Sequence, residues 1–184
     1  MIFSSGKTLA KVAKSLESVH FGLVMKIKAI LICALMTAWA PLHAEFFADI
    51  KDDLTGPAVE GSPKYTALYF SAHWCPPCRM FTPKLVEWYN EFQKTHPDFE
   101  LVFVSSDRDK ASMEEYVKGD NMPWPVVKFD QAKDEKFTKY SSSGIPYLVL
   151  IDADGKNLTG QPGNQWESPQ KVLQKIEELV PAAS

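Results

Sequence analysis

The stretch YTALYFSAHWCPPCRMFTPKLVEWYNEFQK, residues 65–94, constrains the fold more than any other part of the chain. Tyr65 to Ala72 is a short run of aromatic and apolar residues that ends at once in a Cys-Pro-Pro-Cys turn, the pattern of a buried strand. From Pro76 onward, Met80, Phe81, Leu85, Trp88, Tyr89 and Phe92 recur at spacings near three and four, which predicts an amphipathic helix. Proline suits a first helical turn, where its missing N–H has no partner to lose. Pro83 falls inside the helix, removes one backbone hydrogen bond and predicts a kink. Cys75 and Cys78 therefore lie where a strand hands over to a helix.

The remaining elements follow by the same reading. DFELVFVSSD (98–107) is a second buried strand. DKASMEEYVKG (109–119) is a helix with Asp109 as its cap and Gly119 as its stop, and QAKDEKFTKYS (131–141) is a short polar helix. GIPYLVLIDADGKNLT (144–159) reads as a hairpin turning at Asp154-Gly155. SPQKVLQKIEELV (168–180) has Ser168 as cap, Pro169 at the first helical position, and Val172, Leu173, Ile176, Leu179 and Val180 on one face. Strands and helices interleaved in this order predict an α/β domain, a mixed sheet covered by helices, over residues 65–184. Residues 45–64 read as a lead-in: a short amphipathic helix, then a Gly/Pro-rich loop, with no chemistry assigned.

Ahead of that lead-in, Lys26 and Lys28 precede a mostly apolar run from Ala29 to Ala40, with a small residue at Ala44. Residues 25–44 thus read as a signal peptide, with an uncleaved anchor as the alternative. The polar prefix 1–24 sits oddly before such a leader, which makes Met25 the expected start. Export into the periplasm or the medium is the expectation that follows. Without residues 1–44 the chain keeps 15 basic and 22 acidic residues, since five lysines and one glutamate are lost, and its net charge is 15 − 22 = −7. That balance argues against nucleic acid as a partner. Of the three cysteines, Cys33 leaves with the leader, and Cys75 and Cys78 remain.

Thiol–disulfide exchange needs one thiol to attack a partner and a second behind it to resolve the mixed disulfide. At a helix N-terminus, free N–H groups and the macrodipole favour a thiolate, so Cys75 is the expected nucleophile and Cys78, one turn in, the resolving thiol. Pro76 and Pro77 have no N–H to give, which leaves the Cys78 amide as the nearby donor and predicts moderate activation of Cys75. Zinc would need four ligands, and Cys75, Cys78, His73 and His96 do not have the spacing of a finger or ribbon, so no metal is expected. A permanent structural crosslink over so tight a loop would constrain the unfolded chain little. No other cofactor is implied.

Taken together, YFSAHWCPPCRMFTP and GIPYLVLIDADGK resemble the thioredoxin-like superfamily, and within it the tryparedoxin and nucleoredoxin branch, over about Tyr65 to Val180. The resemblance implies a thioredoxin fold with helices on both faces of the sheet and a redox-active Cys75–Cys78 disulfide. It also implies a cis Ile145-Pro146 bond beside the dithiol, Pro83 as the kinking proline of the active-site helix, and a tryptophan, Trp124, near the active-site face. Ile145 would then offer its backbone to an extended substrate segment, as in strand addition. Trp74 is expected to shield the dithiol and contact partners, whereas Trp124, flanked by prolines, is open between an exposed ridge and the core. Thioredoxin itself has a buried aspartate six residues before the first cysteine. Here that place holds Tyr69, a poor base near neutral pH, which puts the proton acceptor for Cys78 in doubt.

Asp107, Arg108 and Asp109 read as a solvated loop. DADGKN (152–157) has its glycine at the wrong place for a calcium loop and reads as a turn. The function expected is a monomeric protein disulfide reductase, recharged by a membrane-bound thiol reductase. A disulfide oxidase or isomerase, and a binding module that uses Trp74, Trp124 and Ile145 without turnover, are the alternatives.

Overall fold

A computed structural model describes residues 45–160 and 165–183. The prefix 1–24, the leader 25–44 and Cys33 lie outside the described residues. The chain runs through α1 (Phe46–Ile50), a short 3-10 turn (Lys51–Asp53), β1 (Leu54–Thr55), β2 (Tyr65–Ser71) and α2 (Pro76–Phe92). It continues through β3 (Phe99–Ser105), α3 (Lys110–Gly119), β4 (Val126–Val127), α4 (Glu135–Thr138), β5 (Tyr147–Asp152) and α5 (Pro169–Leu179).

Five strands form one sheet in the order β1-β4-β3-β2-β5. β3 runs parallel to both β2 and β4, whereas β5 pairs antiparallel with β2 and β1 antiparallel with β4. Strands β2 and β3 are in register from Tyr65↔Phe99 to Ser71↔Ser105. The sheet is covered on both faces, which explains why its central strands read as nearly continuous apolar runs rather than alternating ones. On one face Ala67, Tyr69, Leu101, Phe103, Leu148 and Leu150 pack under α2, α3 and α5. On the other, Leu68, Phe70, Val102, Val104, Val149 and Ile151 pack against Phe46, Phe47 and Ile50 of α1 and Phe137 of α4.

The helix signals hold. Asp109 caps α3 by accepting from the Ser112 amide, and Ser168 caps α5 with Pro169 next to it. α2 continues unbroken through Pro83. Of the apolar face expected on α5, Val172, Ile176 and Val180 are buried, and Leu179 turns to solvent.

Three expectations are corrected. The lead-in is part of the sheet: Leu54 and Thr55 pair with Val127 and Val126 and close its edge. Two-residue strands carry too short a pattern for periodicity to reveal. The hairpin expected over 144–159 has one full strand, β5, and the return beyond the turn makes a single bridge, Ile151↔Asn157. The turn itself is built by Asp152, whose Oδ1 accepts from the Asp154 and Lys156 amides, with Gly155 at φ 78°. Trp124 is wholly buried, edge-on to Tyr69 and Tyr89, so it takes no part in a substrate surface. Its contact with Tyr89 places this indole against α2, just before β4.

Candidate active site

β2 ends at Ser71, and Ala72–Trp74 lead directly into the N-terminus of α2. Cys75 is the N-cap of that helix, in an extended conformation at φ −92° and ψ 107°, with prolines in the first turn. Its Sγ accepts a hydrogen bond from the Cys78 amide at 3.3 Å, the donor that the prolines leave available. The two sulfurs are joined as a disulfide. Cys78 is fully enclosed and Cys75 is 3% exposed, packed with Ala72 and Ile145. Both cysteines are thus nearly enclosed, and the opening at Cys75 is narrower than the role of attacking thiol led one to expect.

The Ile145-Pro146 peptide bond is cis, and the Ile145 carbonyl oxygen lies 3.9 Å from Cys75 Sγ. Strand β5 starts one residue beyond Pro146 and pairs with β2, so the loop and the dithiol are held at the same end of the sheet by neighbouring strands. Trp74 is 54% exposed and its indole N–H donates to the Ser106 carbonyl at 3.2 Å, which lays the ring over the β3–α3 connection next to Cys75.

Tyr69, six residues before Cys75, is buried under α2, and its hydroxyl meets Thr82 Oγ1 at 2.8 Å. Thr82 donates to the Cys78 carbonyl at 3.0 Å, so its oxygen is left to accept from both Tyr69 and Tyr116. Tyr116 having donated to Thr82, its oxygen accepts from Ser71 at 3.0 Å. This chain of hydroxyls ties α2 at Cys78 to β2 and α3. Burial, reinforced by Tyr116, pushes the Tyr69 pKa far up, so its hydroxyl stays protonated and acts as a donor. Tyr69 is therefore an anchor for the helix and not a base for Cys78.

Sequence reading missed several residues of this site. Asp107 was expected in a solvated loop, but it is buried: its carboxylate accepts from the His73 amide at 2.8 Å and from the Ser105 hydroxyl at 2.9 Å. It thus ties the turn before Trp74 to the end of β3, and the signal available was its place just past the strand, two residues after Ser105. Thr82 and Tyr116 carried the spacing of helix faces and nothing more. His73 stacks on Tyr116 at 5.8 Å, which keeps it beside the dithiol turn.

A thioredoxin-like family profile matches residues 62–157, more than half of the chain. The chain belongs to the thioredoxin-like family. Within it the thioredoxin-like domain falls in the tryparedoxin and nucleoredoxin branch. It is 45% identical over 106 residues to a nucleoredoxin of Danio rerio and 44% identical over 97 residues to probable nucleoredoxin 1 of Arabidopsis thaliana. These matches cover 56% and 52% of this chain but only 24% and 16% of the relatives. Among solved structures, a thioredoxin from Wuchereria bancrofti superposes with a TM-score of 0.51 at 40% identity, over 65% of this chain and 85% of that one. Tryparedoxin I from Leishmania major does so at 0.53 and 33%, over 67% and 83%. The thioredoxin-like domain is thus of the thiol–disulfide oxidoreductase type, with Cys75 and Cys78 as its cysteine pair.

These relatives correct the expected location. Nucleoredoxins at 40–45% identity are intracellular proteins, which conflicts with a periplasmic or secreted thioredoxin-like domain. Two lysines ahead of a short apolar run, with a small residue at Ala44, carried that expectation.

Proposed function

We propose that the protein reduces disulfides in protein or peptide partners. Cys75 as thiolate attacks one sulfur of the partner's disulfide, which forms a mixed disulfide and releases the other partner sulfur as a thiolate. Cys78, deprotonated, then attacks Cys75 Sγ, expels the second partner thiolate, and closes the Cys75–Cys78 disulfide. Two electrons pass to the partner, which takes up two protons and leaves as a dithiol. An upstream dithiol donor returns the electrons to Cys75–Cys78, and the protein acts as a monomer.

The observation that carries the reading is the Cys78 amide on Cys75 Sγ at the capped end of α2, where Pro76 and Pro77 between the two cysteines have no N–H to add. Strong disulfide oxidants owe their potential to a heavily stabilised reduced form. One backbone donor stabilises the Cys75 thiolate moderately, which favours a reductant over an oxidase. Insulin reduction with dithiothreitol as electron source tests it. The wild type should catalyse precipitation of the insulin chains and Cys75→Ser should not, and equal rates would remove the enzymatic reading. A reduction potential close to that of the strongest disulfide oxidants, about −120 mV, would reverse the direction.

A further inference from the structure

The loop that carries Ile145 and Pro146 has a neighbour from a distant part of the chain. Trp166 donates its indole N–H to the Pro146 carbonyl at 2.9 Å. Its ring lies over Gly144: a Cβ placed there would meet Trp166 Cδ1 at 3.4 Å, Cγ at 3.8 Å and Nε1 at 3.9 Å. Gly144 does not have positive φ, so the residue is small where the indole comes close and not where the backbone would demand it. An alanine methyl just reaches the ring, and a branched side chain would displace it.

Trp166 is itself firmly held. The next residue, Glu167, takes a 2.6 Å ion pair from Lys175 one helical stretch away, and Ser168 caps α5 through the Lys171 amide. The indole is thus mounted on the start of a packed helix, with Val172 and Ile176 in the core below. Yet Trp166 remains 49% exposed, an unusual state for an aromatic anchored by its N–H. Among the described residues, Trp74, 54% exposed, is the other large open indole at the dithiol end of the sheet, tied by its own N–H to the Ser106 carbonyl. Both rings spend their polar atom on backbone and keep apolar surface free, the arrangement seen at protein contact surfaces.

We infer that Trp166 is a specificity-determining residue of the exchange reaction. It braces the Gly144–Pro146 loop and offers an apolar ledge beside Ile145 to an extended peptide segment with an apolar side chain next to its disulfide cysteine. This rests on the oxidoreductase reading above. A small disulfide needs only access to Cys75 Sγ, whereas a peptide also needs the loop and the ledge, so removal of Trp166 separates the two substrates.

The test compares insulin with bis(2-hydroxyethyl) disulfide for wild type, Trp166→Ala, Trp166→Phe and Gly144→Val, with thermal midpoints as the folding control. Trp166→Ala should raise KM for insulin about tenfold, with kcat and the small-disulfide rate held within about twofold, the signature of lost binding rather than lost chemistry. Trp166→Phe keeps the ring and should recover most of the loss, and Gly144→Val, which leaves Trp166 itself intact but displaces it, should reproduce it. Equal losses on both substrates, or no change on either, would overturn the role of Trp166 while the oxidoreductase reading stands. A wild type inactive on both substrates would overturn that reading and this role together.

Discussion

Trp74 stands open beside Cys75, while Trp124 is sealed among Tyr69, Tyr89 and the sheet. The two regions differ in what their aromatic residues do. At the dithiol end the indoles of Trp74 and Trp166 give their N–H groups to backbone carbonyls and leave their faces free, around a disulfide whose Cys75 is barely exposed. In the interior, Tyr69 touches Phe81, Phe103 and Trp124 ring to ring; its hydroxyl is bonded to Thr82, and Trp124 Nε1 meets no acceptor among the described residues. Residue type alone does not separate a contact surface from a core. The difference lies in whether the chain leaves the residue beyond the strand end or beneath a helix.

The strongest way to break this comparison is Trp124→Ala. If Trp124 is purely interior, the cavity should cost about 3–5 kcal/mol in denaturant unfolding, with the exchange rate of the folded fraction unchanged. Trp124→Phe should cost far less, because the indole N–H lacks an acceptor and its loss removes an unpaired buried donor. A normal stability with impaired insulin reduction would move Trp124 back to the surface role. Next comes Thr82→Val, which keeps the shape but leaves the buried Tyr69 hydroxyl without its acceptor and Tyr116 with Ser71 alone, at about 1–3 kcal/mol. Tyr69→Phe removes one bond only, at about 0.5–1.5 kcal/mol, and because Tyr69 is a donor its insulin rate should match the wild type.

The smallest effect concerns Glu100, buried at the foot of β3, where one oxygen accepts from Tyr89 Oη at 2.7 Å and from the Leu101 amide at 2.8 Å. Burial raises its pKa above the usual 4.5, more than those two bonds lower it. The folded state therefore holds this proton to higher pH than the unfolded chain does. Its contribution to stability is fully present below pH 4.5 and is lost as pH rises through the folded pKa. Glu100→Gln, whose amide oxygen can accept both bonds, should flatten the stability curve over that window. An unchanged slope between wild type and variant would remove Glu100 as its source.

How much of this was legible depends on how local each signal was. The strand, Cys-Pro-Pro-Cys turn and helix are one contiguous pattern, so the site of Cys75, its Cys78 amide donor and the buried strand behind it could be read directly. Asp109 and Ser168 announce their helices in the same way. The β1–β4 edge could not be read, since it joins residues far apart in sequence through strands of two residues each. Neither could the hydroxyl chain from Ser71 to Tyr116, Thr82 and Tyr69, because four unremarkable side chains gain meaning only when β2, α2 and α3 meet. Trp166 was silent for the same reason: its partner, the Pro146 carbonyl, is twenty residues away.

The central claim is that Cys75 attacks and Cys78 waits beneath it. Brief iodoacetamide treatment of the fully reduced protein at neutral pH, followed by peptide mass spectrometry, tests it most directly. The predicted result is modification of Cys75 in nearly every labelled molecule, with Cys78 untouched until the protein is unfolded. Labelling of Cys78 first, or of both at equal rates, would contradict the assignment.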